Sequence, residues 1–199
     1  MILETAHLGC SLRKNDPKIA RILLVSPILY ANNKLWRWLG DLWEILEVPH
    51  LQVQHKGCGK RLSQVWTKLR VFDPSSYVSA VRGLPKVLVF LDTDLHVTSS
   101  LQDMFYMIHH DCRLVAVWRG GCDANTGGAG EVRPSHTIKK NNAKTPWRGG
   151  GINSGVFVLQ TNKKIWDNMK AYIDKYNAKG DTGAEQDFMS VYFGCYCTR

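Results

Sequence analysis

A short apolar run that ends in two carboxylates constrains the fold of this chain more than any other feature. The run is Val87–Leu91, which follows Gly83-Leu84-Pro85 and leads directly into Asp92-Thr93-Asp94. Its length and its valines predict a strand that is buried on both faces. In open α/β sheets, ligands bind at the carboxyl ends of such strands. Asp92 and Asp94 therefore stand where a ligand site is expected.

These two aspartates are candidate metal ligands. Residues i and i+2 of a strand point to the same side, and neighbouring carboxylate oxygens suit Mn²⁺ or Mg²⁺ that holds a phosphorylated substrate. The structural alternative is a turn in which an aspartate caps the segment that follows. Spacing alone leaves both interpretations open.

Composition indicates one globular domain, residues 1–199, with an anionic partner. The chain has 44% apolar residues and a formal net charge of +9. No block of lysines and arginines concentrates that charge, so a nucleic-acid partner is not predicted. The sequence shows no signal peptide and no apolar stretch of membrane-spanning length. Its six cysteines form no C-x-x-C pair, and we expect a reduced, cytoplasmic protein with no membrane span.

Apolar periodicity predicts helices alternating with strands along the chain. The predicted helices lie at 5–14, from a cap at 32–33 through 46, and at 62–72, 101–110, 162–176 and after 187 through 193. The predicted strands lie at 19–25, 51–55, 87–91, 113–118 and 156–159. Because strands and helices alternate, we expect an α/β fold with a mostly parallel central sheet flanked by helices.

Residues 119–151 form a basic, glycine-rich segment with almost no apolar content. A structureless stretch of this length within a compact domain is typical of a lid, a binding loop or a disordered segment. Its basic side chains suit it to covering an anion; they are Arg133, Lys139, Lys140, Lys144 and Arg148.

Four segments, in order, resemble glycosyltransferase family 8, the glycogenin and galactinol synthase family. They span nearly the whole chain, and the Ile152-Asn153-Ser154-Gly155 segment is the most specific. The segments are Ala6–Arg13 with the strand at Ile22–Val25, Thr67–Arg70 with Val87–Leu95, Ile152–Val158, and Glu185-Gln186-Asp187 with the helix after it.

The resemblance implies a GT-A fold with a Rossmann-like nucleotide-binding core. It implies transfer of a sugar, with retention of configuration, from a nucleotide sugar to a hydroxyl group on a glycan or protein. The donor is expected to be a UDP-sugar, with Mn²⁺ or Mg²⁺ held by Asp92 and Asp94. The remaining implied donor-site residues are Lys68, Arg70, Thr93, Asn153, Ser154 and Gly155, and the implied catalytic residues are Glu185, Gln186 and Asp187, which would position the reacting sugar.

The chain departs from the family pattern at three places. The family's first strand would precede Met1, and its late metal-binding histidine would follow Arg199. Glu185 also replaces the usual aspartate. We therefore expect a third metal ligand from elsewhere, with His96 and His136 as candidates.

Three other interpretations compete with an active transferase. The domain could bind a sugar nucleotide or a protein without turnover. A haloacid-dehalogenase-type phosphatase also has a strand ending in D-x-D, but that motif wants Thr or Val where His96 stands, and it leaves Lys68 and Asn153 unexplained. A basic nucleic-acid binder would show salt-sensitive affinity for any duplex, and no local motif supports it.

Overall fold

The computed structural model describes residues 2–27, 34–51, 53, 65–81, 83–108, 113–120, 150–178 and 185–194. Its first element is α1 (Ile2–Asn15), which contains the predicted helix at 5–14. The end of α1 is tied to the chain beyond Asp94. Asn15 Nδ2 donates to the Val97 carbonyl at 2.8 Å, and Val97 N donates to Ser11 Oγ at 3.1 Å. Helix α1 thus fixes the segment that follows the aspartate pair.

The strands β1 (Ile22–Val25) and β2 (Glu44–Glu47) form a two-stranded parallel sheet. The helix predicted through residue 46 is wrong, because residues 34–39 form a short 3₁₀ helix (Lys34–Leu39) and the chain is extended again at β2. Ile45 and Leu46 pair in register with Leu23 and Leu24. Backbone pairing with β1 therefore overrides the helical spacing of their side chains.

A second sheet contains β3 (Val87–Leu91), β4 (Leu114–Gly120) and β5 (Gly150–Gln160) in the order β3-β5-β4. The expected mostly parallel sheet is wrong for the described strands, since β5 runs antiparallel to both neighbours. Alternation predicts parallel strands only where a crossover helix joins them. The 119–151 segment between β4 and β5 carries no predicted helix, so it leaves the direction of β5 undetermined.

β3 lies between two hydrophobic clusters, so the prediction of a strand buried on both faces is confirmed only in part. Leu88 and Phe90 pack against the first cluster, whereas Leu91 packs against the second. All five β3 residues are half-buried. The first cluster includes Trp66, Leu69, Phe72, Phe157, Met169 and Phe188. The second includes Leu8, Leu12, Val25, Trp36, Leu39 and Trp43.

The remaining described helices match their predictions unevenly. Of the helix predicted over 62–72, residues 62–64 lie outside the described residues, and residues 66–72 form a 3₁₀ helix (Trp66–Phe72) that is followed by a shorter one at Pro74–Ser76. Of the helix predicted over 101–110, the described part is the short α2 (Gln102–Phe105), and residues 109–110 lie outside the described residues. The helix predicted over 162–176 is confirmed as α3 (Lys163–Ala178). The last, α4 (Glu185–Gly194), begins at Glu185 and so includes the segment predicted to precede it.

Two predicted segments fall largely outside the described residues. In the basic segment 119–151, residues 119–120 belong to β4 and residues 150–151 to β5, and the rest lies outside. Of the strand predicted at 51–55, Leu51 and Val53 are described and neither is extended in a sheet. No helix in the described ranges combines the length and apolar character needed to cross a membrane.

The two sheets and the helices make the described part a mixed α/β structure with one parallel and one antiparallel sheet.

Candidate functional site

Asp92 is held at the end of β3 by the neighbouring strand. Its backbone N–H donates to the Gly155 carbonyl at 2.8 Å, which continues the β3–β5 pairing by one residue. The polar segment 153–155 of β5 therefore lies directly beside the aspartate. The Asp92–Gly155 hydrogen bond and the position of segment 153–155 both follow from the antiparallel register, in which Leu91 pairs with Val156.

The ammonium group of Lys68 is the centre of the site. Lys68 lies on the 3₁₀ helix Trp66–Phe72, and its side chain is only 17% exposed. Its Nζ lies 2.9 and 3.1 Å from the two carboxylate oxygens of Asp92 and 3.2 Å from Glu185 Oε1. It also donates to Ser154 Oγ at 3.3 Å and approaches the Phe90 ring, 5.6 Å from its centroid. Lys68 is thus part of an ion-pair cluster and not a solvated surface charge.

Glu185 is the most deeply buried charged member of this cluster. The residue is 4% exposed at the start of α4, and its Oε1 accepts a 2.8 Å hydrogen bond from the buried Ser154 hydroxyl. A buried carboxylate is costly unless a cation or hydrogen-bond donors accompany it. Lys68 and Ser154 supply both, so the three side chains depend on one another.

A second set of hydrogen bonds fixes α4 against β5. Gln186 Oε1 accepts from the Ser154 backbone N–H at 3.3 Å. Ser190, one helical turn later, accepts from the Ile152 N–H at 2.8 Å and donates to the Gln186 carbonyl at 2.7 Å. Ser190 is not among the residues predicted for the site, although its i+4 spacing from Gln186 places both on one face of a helix.

Gly155 leaves room for the side chains around it. A Cβ atom at this position would lie 3.1 Å from Asn153 Oδ1 and 3.3 Å from Asp92 Oδ2, closer than side chains normally pack. Asn153 Oδ1 in turn accepts a 2.9 Å hydrogen bond from the Gly155 N–H. In the predicted Asn153-Ser154-Gly155 segment, Asn153 therefore supplies a hydrogen-bond acceptor and Ser154 a hydroxyl donor, whereas Gly155 leaves space beside the Asp92 carboxylate.

Negative charge exceeds positive charge in this cluster. Burial raises the pKa of the Asp92 carboxyl above its ordinary value; Lys68 opposes the rise, and the charges of Asp94 and Glu185 add to it. Among the described residues, Asp92 and Glu185 both pair with the ammonium group of Lys68, and the charge of Asp94 also acts on Asp92, so three carboxylates accompany one ammonium group. Hard divalent cations such as Mn²⁺ and Mg²⁺ prefer carboxylate oxygens as ligands, and this cluster offers several of them.

The two other residues of the aspartate turn differ in exposure. Thr93 is half-buried and Asp94 is exposed. Within the described ranges, no three His, Cys, Asp or Glu side chains are grouped so as to hold a metal ion. His96 stacks on His7 of α1, with ring centroids 4.6 Å apart. His136, the other candidate third ligand, lies outside the described residues.

Arg70 makes a different set of contacts from Lys68. Its Nε donates to the Pro49 carbonyl at 3.1 Å, and its guanidinium pairs with Asp73 at 3.4 Å and lies 5.5 Å from the centroid of the Trp166 ring. No described contact joins it to the cluster around Asp92. The backbone of Asp187 belongs to α4, and its side chain is outside the described part of the structure.

Of the residues predicted for the site, the structure brings Lys68, Asp92, Ser154 and Glu185 into direct contact and adds Asn153, Gly155 and Gln186 through hydrogen bonds to the same strand. Neither a protein-family model nor a curated protein sequence matches this chain.

Proposed function

We propose that this protein is a metal-dependent, retaining glycosyltransferase with a GT-A core. It moves a sugar from a nucleotide sugar, a UDP-sugar, to a hydroxyl group on a glycan or protein. The observation that carries the proposal is that Asp92, Ser154 and Glu185 each place an oxygen within 3.3 Å of the Lys68 ammonium nitrogen. These residues come from three of the four segments that resemble the family, since Lys68 and Asp92 both belong to the second.

The carboxylates fit the cation that this function needs. Asp92 and Asp94 would hold Mn²⁺ or Mg²⁺, because both offer hard oxygen ligands and the cluster has an excess of negative charge. When bound, the cation neutralises charge on the diphosphate leaving group. No further His, Cys, Asp or Glu of the described residues joins them, and Mg²⁺ at phosphate sites usually takes water and phosphate oxygens as well.

The chain's own residues would bind and orient the donor. Lys68 is a second positive charge beside the aspartates and can interact with a diphosphate. Gln186 uses Oε1 on the Ser154 amide, and its Nε2 group, which has no hydrogen bond to a described residue, would donate to a sugar hydroxyl. Glu185 holds Ser154 and Lys68 in place, and we assign Asp187 with them to positioning of the reacting sugar.

A second candidate function is sugar-nucleotide binding without turnover. The observation that favours it is the engagement of Glu185, whose Oε1 is shared by Ser154 and Lys68. A carboxylate held in this way is a structural support for the site. The two functions differ in one measurement, because a transferase also hydrolyses its donor slowly and a binding domain leaves the donor intact.

Substitution of Asp94 tests the site. We expect the protein to bind UDP in calorimetric titrations with Mn²⁺ and to lose this binding when a chelator is added. Asp94→Ala should abolish the Mn²⁺-dependent binding with unchanged circular dichroism, because Asp94 is exposed and supports no described contact. Asp174→Ala, on the exposed side of α3, removes the same charge and should bind like the wild type. Equal Mn²⁺-dependent UDP binding by the wild type, Asp94→Ala and Asp174→Ala would refute the assignment of the aspartate pair as the metal site.

A further inference from the structure

Lys68 occupies the position from which Asp92 would bind a cation. Both Asp92 oxygens face its Nζ, at 2.9 and 3.1 Å. A divalent cation binds carboxylate oxygens at about 2.0–2.6 Å. A cation on Asp92 would therefore lie close to an ammonium group of the same sign, and the two would repel each other strongly at this partly buried position.

The cluster offers the ammonium group another place. Lys68 also contacts Glu185 Oε1 at 3.2 Å, Ser154 Oγ at 3.3 Å and the Ser154 carbonyl at 3.4 Å. These three acceptors belong to β5 and α4 and are tied to each other by the Ser154–Glu185 hydrogen bond. An ammonium group that leaves Asp92 thus keeps a carboxylate and two oxygen acceptors without leaving the site.

We propose that Lys68 is the internal counter-ion of Asp92 and that a divalent cation binds by displacing it onto Glu185 and Ser154. The inference rests on the proposed function, since it takes Asp92 and Asp94 as the cation ligands. It adds that Lys68 weakens cation binding in the absence of nucleotide.

Displacement also couples the cation to the nucleotide. Once the cation takes over Asp92, Glu185 is the one carboxylate partner left to Lys68 among the described residues, and Lys68 can also attract an anionic ligand such as a diphosphate. UDP should therefore raise the affinity for the cation, and by thermodynamic reciprocity the cation raises the affinity for UDP by the same factor.

The test measures Mn²⁺ binding to the full chain without nucleotide, from the electron paramagnetic resonance signal of free Mn²⁺. Lys68→Met should bind Mn²⁺ about tenfold or more tightly than the wild type, because a competing charge is removed. Lys163→Met is the matched control, because it removes the same charge from an exposed ion pair with Asp167 on α3. The Mn²⁺ affinity of this variant should equal that of the wild type. Unchanged or weaker binding by Lys68→Met, with the circular dichroism of the wild type, overturns the proposal.

A double variant guards against loss of folding. Lys68→Met leaves Glu185 buried without its cation, which can destabilise a protein severely. Lys68→Met/Glu185→Gln removes both charges and keeps an acceptor for the Ser154 hydroxyl. It should also bind Mn²⁺ more tightly than Glu185→Gln alone, and equal affinity of these two variants counts against displacement.

A spectroscopic measurement distinguishes displacement from simple charge removal. In wild-type protein titrated with Mg²⁺, the ¹⁵N–¹H resonance of the Lys68 ammonium group should shift with the same midpoint as Mg²⁺ binding. A resonance that stays fixed at saturating Mg²⁺ contradicts the proposal.

The same titrations separate this inference from the proposed function. If wild-type protein with Mn²⁺ fails to bind UDP, the donor site is refuted, whereas tighter Mn²⁺ binding by Lys68→Met still supports displacement. If UDP binds and the Lys68 variants leave the Mn²⁺ affinity unchanged, displacement alone is refuted.

Discussion

Tyr77 illustrates how a single buried polar atom affects stability. The residue is 2% exposed, and its hydroxyl has no hydrogen-bond partner in the described structure. Burial raises the pKa of the Tyr77 hydroxyl well above its ordinary value, and the negative charge of Asp73 raises it further. An unpaired buried hydroxyl costs about 1–3 kcal/mol relative to a hydrated one.

Tyr77→Phe should therefore raise the free energy of unfolding by about 1 kcal/mol at neutral pH. The difference should grow above pH 10, because tyrosine in the unfolded chain ionises at about 10 while folded Tyr77 stays protonated. Wild-type stability is lost as pH rises above that value, and the variant lacks this loss. Urea denaturation between pH 7 and 11 measures both effects, with the exposed Tyr106→Phe as control. Destabilisation at pH 7 would show that the hydroxyl is satisfied.

At the level of residues, the members of the site could be predicted better than their partners. Lys68, Asp92 and Ser154 are predicted as site residues, and the structure brings their side chains together. Their pairing depends on contacts between residues 24 to 86 positions apart in the chain, and no local pattern encodes such contacts. Arg70 shows the limit, since it shares the Lys68 segment but bonds to Pro49 and Asp73.

Among the elements, α1 depends on one close approach. An added Cβ at Gly9 would lie 2.5 Å from Trp43 Nε1 and 3.0 Å from Leu42 Cβ. The Trp43 indole cannot easily move, since it is buried and donates to the Thr5 carbonyl at 3.2 Å. The absence of a side chain at Gly9 therefore lets the segment before β2 lie against α1.

Gly9→Ala should lower the free energy of unfolding by about 1–3 kcal/mol, because overpacking outweighs the gain of up to about 1 kcal/mol in helix propensity. Urea denaturation measures the change. Cys10→Ala, on the exposed side of the same helix, should have little effect. In a Trp43→Phe background, which lacks Nε1, the cost of Gly9→Ala should shrink. A cost that stays constant there would place the clash elsewhere.

The elements also show where sequence patterns fail. Helices α1 and α3 are long and local, and periodicity predicted both. The segment 34–47 carries apolar residues at helical spacing, yet Trp38 is 80% exposed and residues 44–47 pair with β1. This segment is a strand because it pairs with β1, in which Ile22, 22 residues earlier in the chain, is the partner of Glu44. The spacing of apolar residues within one segment contains no information about such a distant partner.

For the whole molecule, ligand binding should appear as added stability. A ligand at 100 times its dissociation constant stabilises the folded state by about 2.7 kcal/mol. For a protein of this size, that corresponds to a rise in Tm of about 5–10 °C. We expect such a rise with UDP and Mn²⁺ together, measured by differential scanning fluorimetry. Asp94→Ala should show no Mn²⁺-dependent rise, and an equal rise in that variant would contradict the assigned metal site.

The central place of β5 has a consequence for the order in which the sheet can be completed. β3 and β4 precede β5 in the chain, but each pairs with β5 and not with the other. While the protein is being synthesised, both strands leave the ribosome with unpaired edges, which are prone to pair with other chains. A nascent chain that stops before Gly150 has no strand to insert between them. The residues from Gly150 onward therefore join the two strands into one three-stranded sheet, and the same step brings the Ser154 segment beside Asp92.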